Sequence, residues 1–152
     1  MPSVLFVCTA NVCRSPMAMA IFRKMVRSQG DQWKVESAGT WALKGLPAAP
    51  KTQILSKKNG EDLSSYRSRP VSKDLLNSFN LILTMEQGHK EALAIEFPES
   101  SQRTFTLSEM IDQNFDIPDP IGKSMEDFES TYKTIEQALS VGYERILRLA
   151  SS

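Results

Sequence analysis

Short apolar runs alternate along the chain with longer segments in which apolar residues recur every three or four positions. The apolar runs predict strands at residues 3–8, 34–38, 80–84 and 103–107. The longer segments predict helices at residues 15–29, 50–59, 72–77, 86–96 and 124–149. Because strands that alternate with helices form parallel sheets, the pattern predicts an α/β fold with a central four-stranded parallel sheet and helices on both faces.

The ends of the first and last helices carry local signals. Ser15 is a suitable N-cap, Pro16 suits a first helical turn, and Gly30 is a typical stop. In the last helix the apolar residues share one face, which includes Phe128, Tyr132, Ile135, Leu139, Tyr143, Ile146 and Leu147. Tyr132 and Tyr143 are therefore predicted to pack in the core rather than to serve as phosphorylation sites. Residues 112–123, rich in aspartate and proline, are predicted to form a loop.

Composition narrows the class of protein. The chain has 152 residues and a formal net charge of zero, which favours one domain over residues 1–152 and no broad nucleic-acid or membrane surface. The first apolar run is too short for a signal peptide or a membrane span. Both cysteines lie in one short loop, a poor arrangement for a secreted disulfide scaffold. The expectation is a reduced cytoplasmic protein.

The segment between the first strand and the first helix, residues 8–15 (CTANVCRS), carries the candidate chemistry. Backbone N–H groups in a tight loop that opens a helix point at a bound anion, and the helix dipole adds positive charge. That field and Arg14 would favour a thiolate at Cys8, the nucleophilic form. The planar fork of Arg14 can grip two phosphate oxygens, and Ser15 can donate a hydrogen bond to the sulfur. We call residues 8–15 the phosphate loop.

Other kinds of cysteine site, and other phosphate-binding loops, fit this sequence less well. Cys8, Cys13 and the single distant histidine, His89, cannot complete a tetrahedral zinc site without carboxylates. A thioredoxin-like centre needs a Cys-x-x-Cys spacing, which the two cysteines do not have. A nucleotide-binding loop needs a Gly-Lys-Ser/Thr ending, which this segment lacks. Cys13 is open to two interpretations, a reversible disulfide with Cys8 under oxidation or a plain packing role. His89, on the helix at residues 86–96, is predicted to be solvated.

The segment at residues 8–16 resembles the signature of the low-molecular-weight protein tyrosine phosphatases, bacterial type. The resemblance continues through residues 36–40 (ESAGT), 81–86 (LILTME) and the pair Asp119-Pro120, and so spans essentially the whole chain. It implies a two-step phosphatase without metal or cofactor, with Cys8 as nucleophile, Arg14 binding phosphate and Asp119 as general acid and base. Asp116 is the second candidate for the acid. The residues expected to contact phosphate or substrate are Thr9, Ala10, Asn11, Val12, Cys13, Ser15 and Trp41.

The resemblance also implies supporting residues and partners. Asn11 and Ser37 are expected to brace the phosphate loop together with Ser15. Trp41, an isolated aromatic residue in the segment 40–50, is expected to wall the substrate cleft. The expected partner is a phosphotyrosine protein, with a bacterial tyrosine kinase as the candidate, and the expected state is a monomer or weak dimer without nucleic acid or membrane.

Three positions depart from the family pattern, and two related families remain as alternatives. Ile121 stands where many relatives carry an aromatic residue, Tyr66 where several have a histidine that supports the loop asparagine, and Ala10 where glycine is commoner. Arsenate reductases of this scaffold need two further cysteines, which the chain lacks. Protein-arginine phosphatases typically carry threonine where Val12 stands, so Val12 favours the tyrosine branch. A phosphopeptide-binding module without catalysis is the alternative from another class.

Overall fold

The computed structural model describes residues 1–151, and its centre is one sheet of four parallel strands. The strands are β1 (Ser3–Cys8), β2 (Lys34–Gly39), β3 (Leu81–Thr84) and β4 (Thr104–Thr106). Their order in the sheet is β2-β1-β3-β4, and every neighbouring pair is parallel. The predicted α/β fold is therefore confirmed. The carboxyl ends of all four strands meet at one edge of the sheet, where ligands bind in folds of this kind.

Six α-helices surround the sheet within the described residues. They are α1 (Arg14–Ser28), α2 (Pro50–Lys58), α3 (Lys73–Asn77), α4 (Gln87–Glu96), α5 (Met125–Val141) and α6 (Tyr143–Ala150). Two short 3-10 turns, Pro98–Arg103 and Leu107–Ile111, flank β4. No helix in residues 1–151 has both the length and the apolar character needed to cross a lipid bilayer.

The strand β1 is buried on both faces. Val4 and Phe6 belong to the larger core cluster, with residues of α1, α5 and α6, and the rings of Phe6 and Phe22 meet edge to face at 5.9 Å. Leu5 and Val7 point the other way, into a second cluster that includes residues of α3 and α4. The alternation follows from the period of two along a strand. The phosphate loop therefore leaves a strand that is fixed from both sides.

The start of α1 differs from the prediction. The helix begins at Arg14, and Cys13 occupies the N-cap position without a side-chain cap. Ser15 lies in the first turn and its hydroxyl contacts Cys8, so the prediction that Ser15 is the N-cap is wrong. The local N-cap signal misled because the hydroxyl is used within the phosphate loop instead. The predicted stop is confirmed, since Gly30 adopts φ = 74° just beyond the helix.

The predicted single terminal helix is also corrected, because it divides at Gly142 into α5 and α6. The Gly142 N–H still donates to the Ala138 carbonyl at 2.9 Å. A Cβ at position 142 would lie only 2.9 Å from Met110 Cβ, so the close approach of the neighbouring turn requires glycine here. Tyr132 is buried as predicted, whereas Tyr143 is half-buried.

Candidate active site

The phosphate loop closes around a small cavity of about 40 Å³ at the carboxyl edge of the sheet. Cys8 is the last residue of β1 and Arg14 the first of α1, so a strand end and a helix N-terminus meet there. The Sγ atom of Cys8 lies 2.9 Å from the Ser15 hydroxyl. The residues that line the cavity are Cys8, Ala10, Asn11, Val12, Cys13, Arg14, Asp119 and Ile121.

Asn11 is the brace at the centre of the loop. It is fully buried and holds a left-handed conformation (φ = 61°), which asparagine tolerates better than most residues. Its Nδ2 donates to the hydroxyls of Ser15 at 2.8 Å and Ser37 at 3.0 Å, and its Oδ1 accepts from the Arg69 N–H at 3.0 Å. Ala10 is not among the residues with positive φ, so the loop accepts its Cβ without strain.

The hydroxyl groups around Asn11 form one directional chain. Tyr66 donates to the Asn11 carbonyl at 3.1 Å, so its oxygen accepts the proton of Ser37 across 2.8 Å. Ser15 accepts from Asn11, and its own proton can be donated to Cys8 Sγ at 2.9 Å, which is closer than the alternative acceptor, the Ala38 carbonyl at 3.4 Å. Burial raises the pKa of Tyr66, so the phenol stays protonated as a donor. Tyr66 thus reaches the loop asparagine from the position where several relatives have histidine.

Arg14 is buried, with only 1% of its surface exposed, and its guanidinium has partners on several sides. Its Nη1 donates to the carboxylate of Glu86 and to the Ile117 carbonyl, the latter at 2.7 Å. Its Nη2 lies 3.8 Å from Asp119 Oδ2. A buried charge needs such partners, and here they fix the direction of the guanidinium plane towards the cavity of the phosphate loop.

The two candidate acids occupy different places. Asp119 lines the cavity, and its Oδ1 accepts from the Ile121 N–H at 3.1 Å. Asp116 does not line it, and its Oδ1 accepts instead from the Gln87 N–H at 2.8 Å, at the start of α4. Of the two carboxylates, Asp119 is therefore the one that can reach a group bound in the cavity.

His89 is buried, with only 5% of its surface exposed, so the prediction of a solvated histidine is wrong. Its ring contacts the hydroxyl of Thr9 at 2.8 Å and the Glu86 N–H at 3.1 Å. The Glu86 carboxylate accepts in return from the His89 backbone, which makes a reciprocal cap for α4. Glu86 and His89 lie three residues apart at the predicted helix start, the spacing of a capping box, and that signal could have found both residues.

Trp41 is 86% exposed and its side chain does not line the cavity. Its backbone N–H donates to the Thr9 carbonyl at 3.0 Å. A contact between its indole ring and a bound substrate stays a prediction. Beside it, a Cβ at Gly39 would lie 2.3 Å from the Thr9 oxygen, so β2 approaches the phosphate loop as closely as only glycine permits.

The two cysteines of the loop are both free thiols. Burial, together with the nearby Asp119 and Cys8, raises the pKa of Cys13 to about 12. Cys13 therefore stays a thiol at neutral pH, and it is a poor nucleophile. A disulfide between Cys8 and Cys13 stays a prediction.

The assembled groups fit phosphoryl transfer to a sulfur atom. A thiol stands at the floor of an anion-sized cavity at a helix N-terminus, a fixed guanidinium borders it, and a carboxyl group stands at its rim. Along residues 1–151, no three His, Cys, Asp or Glu side chains gather closely enough to hold a metal ion.

The sequence and the fold of the chain are similar to those of known proteins. The family model described as "Low molecular weight phosphotyrosine protein phosphatase" matches residues 3–148. The chain is 35% identical over 147 residues to the probable low molecular weight protein-tyrosine-phosphatase EpsP of Ralstonia solanacearum, covering 97% of each chain. It is 33% identical over 138 residues to the protein-arginine-phosphatase of Bacillus subtilis strain 168, covering 90% of this chain and 91% of that one.

Among solved structures, the low molecular weight protein tyrosine phosphatase of T. tengcongensis matches with a TM-score of 0.91 and 34% identity. The match covers 95% of this chain and 99% of that one. The relatives thus include enzymes named for two different phosphorylated residues, at nearly the same identity. Overall similarity identifies the scaffold and leaves the choice of substrate to the residues of the cavity.

Proposed function

The chain belongs to the low molecular weight phosphotyrosine protein phosphatase family, and on that premise we propose that it hydrolyses phosphotyrosine in proteins and small aryl phosphates. We also propose that residues 1–152 form one domain. The observation that carries the proposal is the meeting of Cys8, Arg14 and Asp119 in one cavity at the N-terminus of α1. Each of these side chains supplies a different part of phosphoryl transfer.

In the first proposed step, the Cys8 thiolate attacks phosphorus in line with the bond to the tyrosine oxygen. The S–P bond forms as the P–O bond breaks, and Asp119 gives its proton to the departing phenolate. In the second step, water attacks the cysteinyl phosphate while Asp119 takes a proton from it, which releases phosphate and restores the thiolate. Ser15 supports the thiolate of Cys8 in both steps, because a thiolate can only accept and the Ser15 hydroxyl, 2.9 Å away, can donate to it.

Arg14 and the loop amides stabilise the charge on the equatorial phosphate oxygens in both steps. The guanidinium is already oriented by Glu86 and the Ile117 carbonyl, so little reorganisation is needed when the anion binds. This positive charge serves the purpose that a metal ion serves in other phosphatases, and the proposed reaction needs neither metal nor cofactor.

The preference for tyrosine over arginine rests on the apolar side chains of the cavity. Val12 and Ile121 line it, and both suit an aryl ring better than a guanidinium, which loses hydrogen bonds against apolar walls. Protein-arginine phosphatase activity is the second candidate, because a relative named for it matches the chain almost as well as the tyrosine phosphatases do.

The proposal extends to the partner protein, the cellular compartment and the oligomeric state. The proposed substrate is a phosphotyrosine protein, with a bacterial tyrosine kinase as the candidate, since relatives of this size act as tyrosine phosphatases by name. We place the reaction in the cytoplasm, where Cys8 and Cys13 would remain free thiols, and we expect a monomer or weak dimer.

Hydrolysis of p-nitrophenyl phosphate in the presence of a metal chelator tests the proposal. We expect turnover by the unmodified protein and none by Cys8→Ser, because a hydroxyl in place of the thiolate is a much weaker nucleophile. Cys13→Ser is the matched control and should retain measurable turnover. Lack of activity in the unmodified protein would instead support a phosphopeptide-binding module, and faster release of phosphate from a phosphoarginine peptide than from a phosphotyrosine peptide would support the second candidate.

A further inference from the structure

The first turn of α4 carries a buried ring that the proposed reaction does not use. His89 is the only histidine of the chain. It lies between two groups that belong to different parts of the site, the backbone N–H of Glu86 and the hydroxyl of Thr9, which directly follows Cys8. A histidine with 5% exposure and partners on both ring nitrogens is held in one orientation.

Those two contacts determine where the ring carries its proton. A backbone N–H can only donate, so Nδ1, at 3.1 Å from the Glu86 nitrogen, must accept and is unprotonated. In the neutral ring the proton then lies on Nε2, which donates to the Thr9 hydroxyl at 2.8 Å. The geometry therefore selects the Nε2–H tautomer.

Thr9 is in consequence held on two sides. Its carbonyl accepts from the Trp41 N–H at 3.0 Å, and its hydroxyl accepts from His89. The same turn of α4 also reaches the other end of the phosphate loop, because the Glu86 carboxylate pairs with Arg14. The reciprocally capped start of α4 thus contacts the phosphate loop at two places, Thr9 and Arg14.

We propose that His89 is a positioning residue that holds the phosphate loop at Thr9 through its Nε2–H, and that protonation of its Nδ1 loosens this hold. The predicted effect on turnover rests on the proposed function, whereas the hydrogen bonds of His89 do not depend on it. A displaced Thr9 shifts the first peptide of the loop relative to the Cys8 sulfur, and small displacements at a reacting centre have large effects on rate.

The charged groups around the His89 ring have opposite effects on its pKa. Burial lowers the pKa of His89, and the guanidinium of Arg14 lowers it further, while Glu86, Asp116 and Asp119 act in the opposite direction. Protonation would also turn Nδ1 into a donor that faces the Glu86 N–H, so the cap of α4 would open. The unfolded chain protonates its histidine first, near pH 6.5, and folded stability therefore falls as the pH drops below that value.

Two amide variants separate the donor from the acceptor. In His89→Gln the side-chain Nε2 can reach the position of the ring Nε2 and donate to Thr9, whereas in His89→Asn the shorter amide can accept from Glu86 and cannot reach Thr9. We expect kcat for p-nitrophenyl phosphate at pH 7.5 to fall about tenfold in His89→Asn, the equivalent of about 1.4 kcal/mol, and His89→Gln to recover most of that loss. Equal losses in both variants would mean a packing role and would overturn the proposal.

Two further readouts test how His89 acts. If it acts through Thr9, the combined variant His89→Asn/Thr9→Val should lose little more than the larger of the two single losses, and additive losses would contradict the proposal. The acid side of the kcat profile should differ between the unmodified protein and His89→Gln, since only the former has a titrating ring at this place. Superimposable profiles would contradict the predicted effect of protonation.

Nuclear magnetic resonance of the imidazole nitrogens tests the contact without any turnover, and a single histidine makes the assignment unambiguous. At pH 7.5 we expect the Nε2–H tautomer, and a shift of its signals in Thr9→Val. An Nδ1–H tautomer, or signals that Thr9→Val leaves unchanged, would overturn the inference. If the unmodified protein shows the expected tautomer and no phosphatase activity, the proposed function fails instead. If activity depends on Cys8 and not on His89, the inference alone fails.

Discussion

The phosphate loop and the loop that carries Asp119 meet at one cavity, yet they are built in different ways. In the phosphate loop Asn11 and Arg14 are buried, and each is held by several hydrogen bonds that leave it one orientation. The loop at residues 112–123, which we call the acid loop, is anchored through Asp116 and the buried Ile117, while the Asp119 side chain is 41% exposed.

The difference separates two tasks of a phosphatase. Charge stabilisation benefits from dipoles and donors that are fixed before the substrate arrives, so a rigid buried network suits the phosphate loop. Proton transfer to a leaving group must follow the oxygen of each substrate, and a carboxyl group on a surface loop can adjust to it. Substitutions in the phosphate loop should therefore affect every substrate, and those in the acid loop should depend on the leaving group.

Among the substitutions that spare Cys8, Arg14→Lys should have the largest effect over the two substrates phenyl phosphate and p-nitrophenyl phosphate taken together. An ammonium group cannot bind two phosphate oxygens in one plane while it also donates to Glu86 and the Ile117 carbonyl. We expect kcat to fall about 10²–10³-fold, a range typical of a lost transition-state donor, and by a similar factor for phenyl phosphate and p-nitrophenyl phosphate. The exposed Arg27, paired with Glu61, is the matched control, and its lysine variant should behave like the unmodified protein. A large dependence on the leaving group would break the distinction between the loops.

Asp119→Ala should show that dependence. Phenolate is a poor leaving group and needs the proton, so kcat for phenyl phosphate should fall about 10²–10³-fold, with a smaller loss for p-nitrophenyl phosphate. Asp116→Asn is the control in the same loop and should cost much less, because Asp116 caps the start of α4 and does not line the cavity. A greater loss from Asp116→Asn would move the acid to that residue.

Gly39→Ala tests the rigidity of the phosphate loop without removing a polar group. The added Cβ would meet the Thr9 carbonyl at 2.3 Å, so the loop or the strand end must move. We expect a loss of about 1–3 kcal/mol in the free energy of unfolding, together with at least a tenfold lower kcat. Gly88→Ala, where nothing lies within 4 Å of the new Cβ, is the control. Equal behaviour of the two variants in urea unfolding and turnover would show that the loop tolerates displacement.

Tyr66→Phe should have the smallest effect. It removes the donor to the Asn11 carbonyl and the acceptor for Ser37, while Asn11 keeps its contacts with Ser15 and the Arg69 N–H. We expect a loss of about 0.5–1.5 kcal/mol in the free energy of unfolding and a reduction of kcat by a few-fold. A loss as large as that from Arg14→Lys would mean that the network is less redundant than its contacts indicate.

The sheet and the phosphate loop could be predicted from the sequence because their signals are local. The apolar run that ends at Cys8 specifies a strand buried on both faces, and the spacing of Cys8 and Arg14 places both at one small cavity, with the Ser15 hydroxyl beside the Cys8 sulfur. The positive φ of Asn11 also follows from a local preference of asparagine.

Long-range contacts explain what the sequence could not reveal. The burial of His89 depends on Thr9, eighty residues away in the chain, and the orientation of Arg14 on Ile117, a hundred and three residues away. The glycine at the division of the terminal helix depends on Met110, which leaves no room for a side chain at position 142. Ser15 shows the converse case, since a good local N-cap signal was overridden by the contact with Cys8.

The phosphorylated intermediate gives the most direct test of the central claim, that Cys8 carries the phosphoryl group between the two steps. In Asp119→Asn the second step lacks its base, and p-nitrophenolate leaves without much help, so the intermediate should accumulate. After acid quenching, mass spectrometry of the peptides should place one phosphoryl group on Cys8. Phosphate on His89, Ser15 or Cys13, or no phosphorylated peptide while turnover continues, would contradict the account.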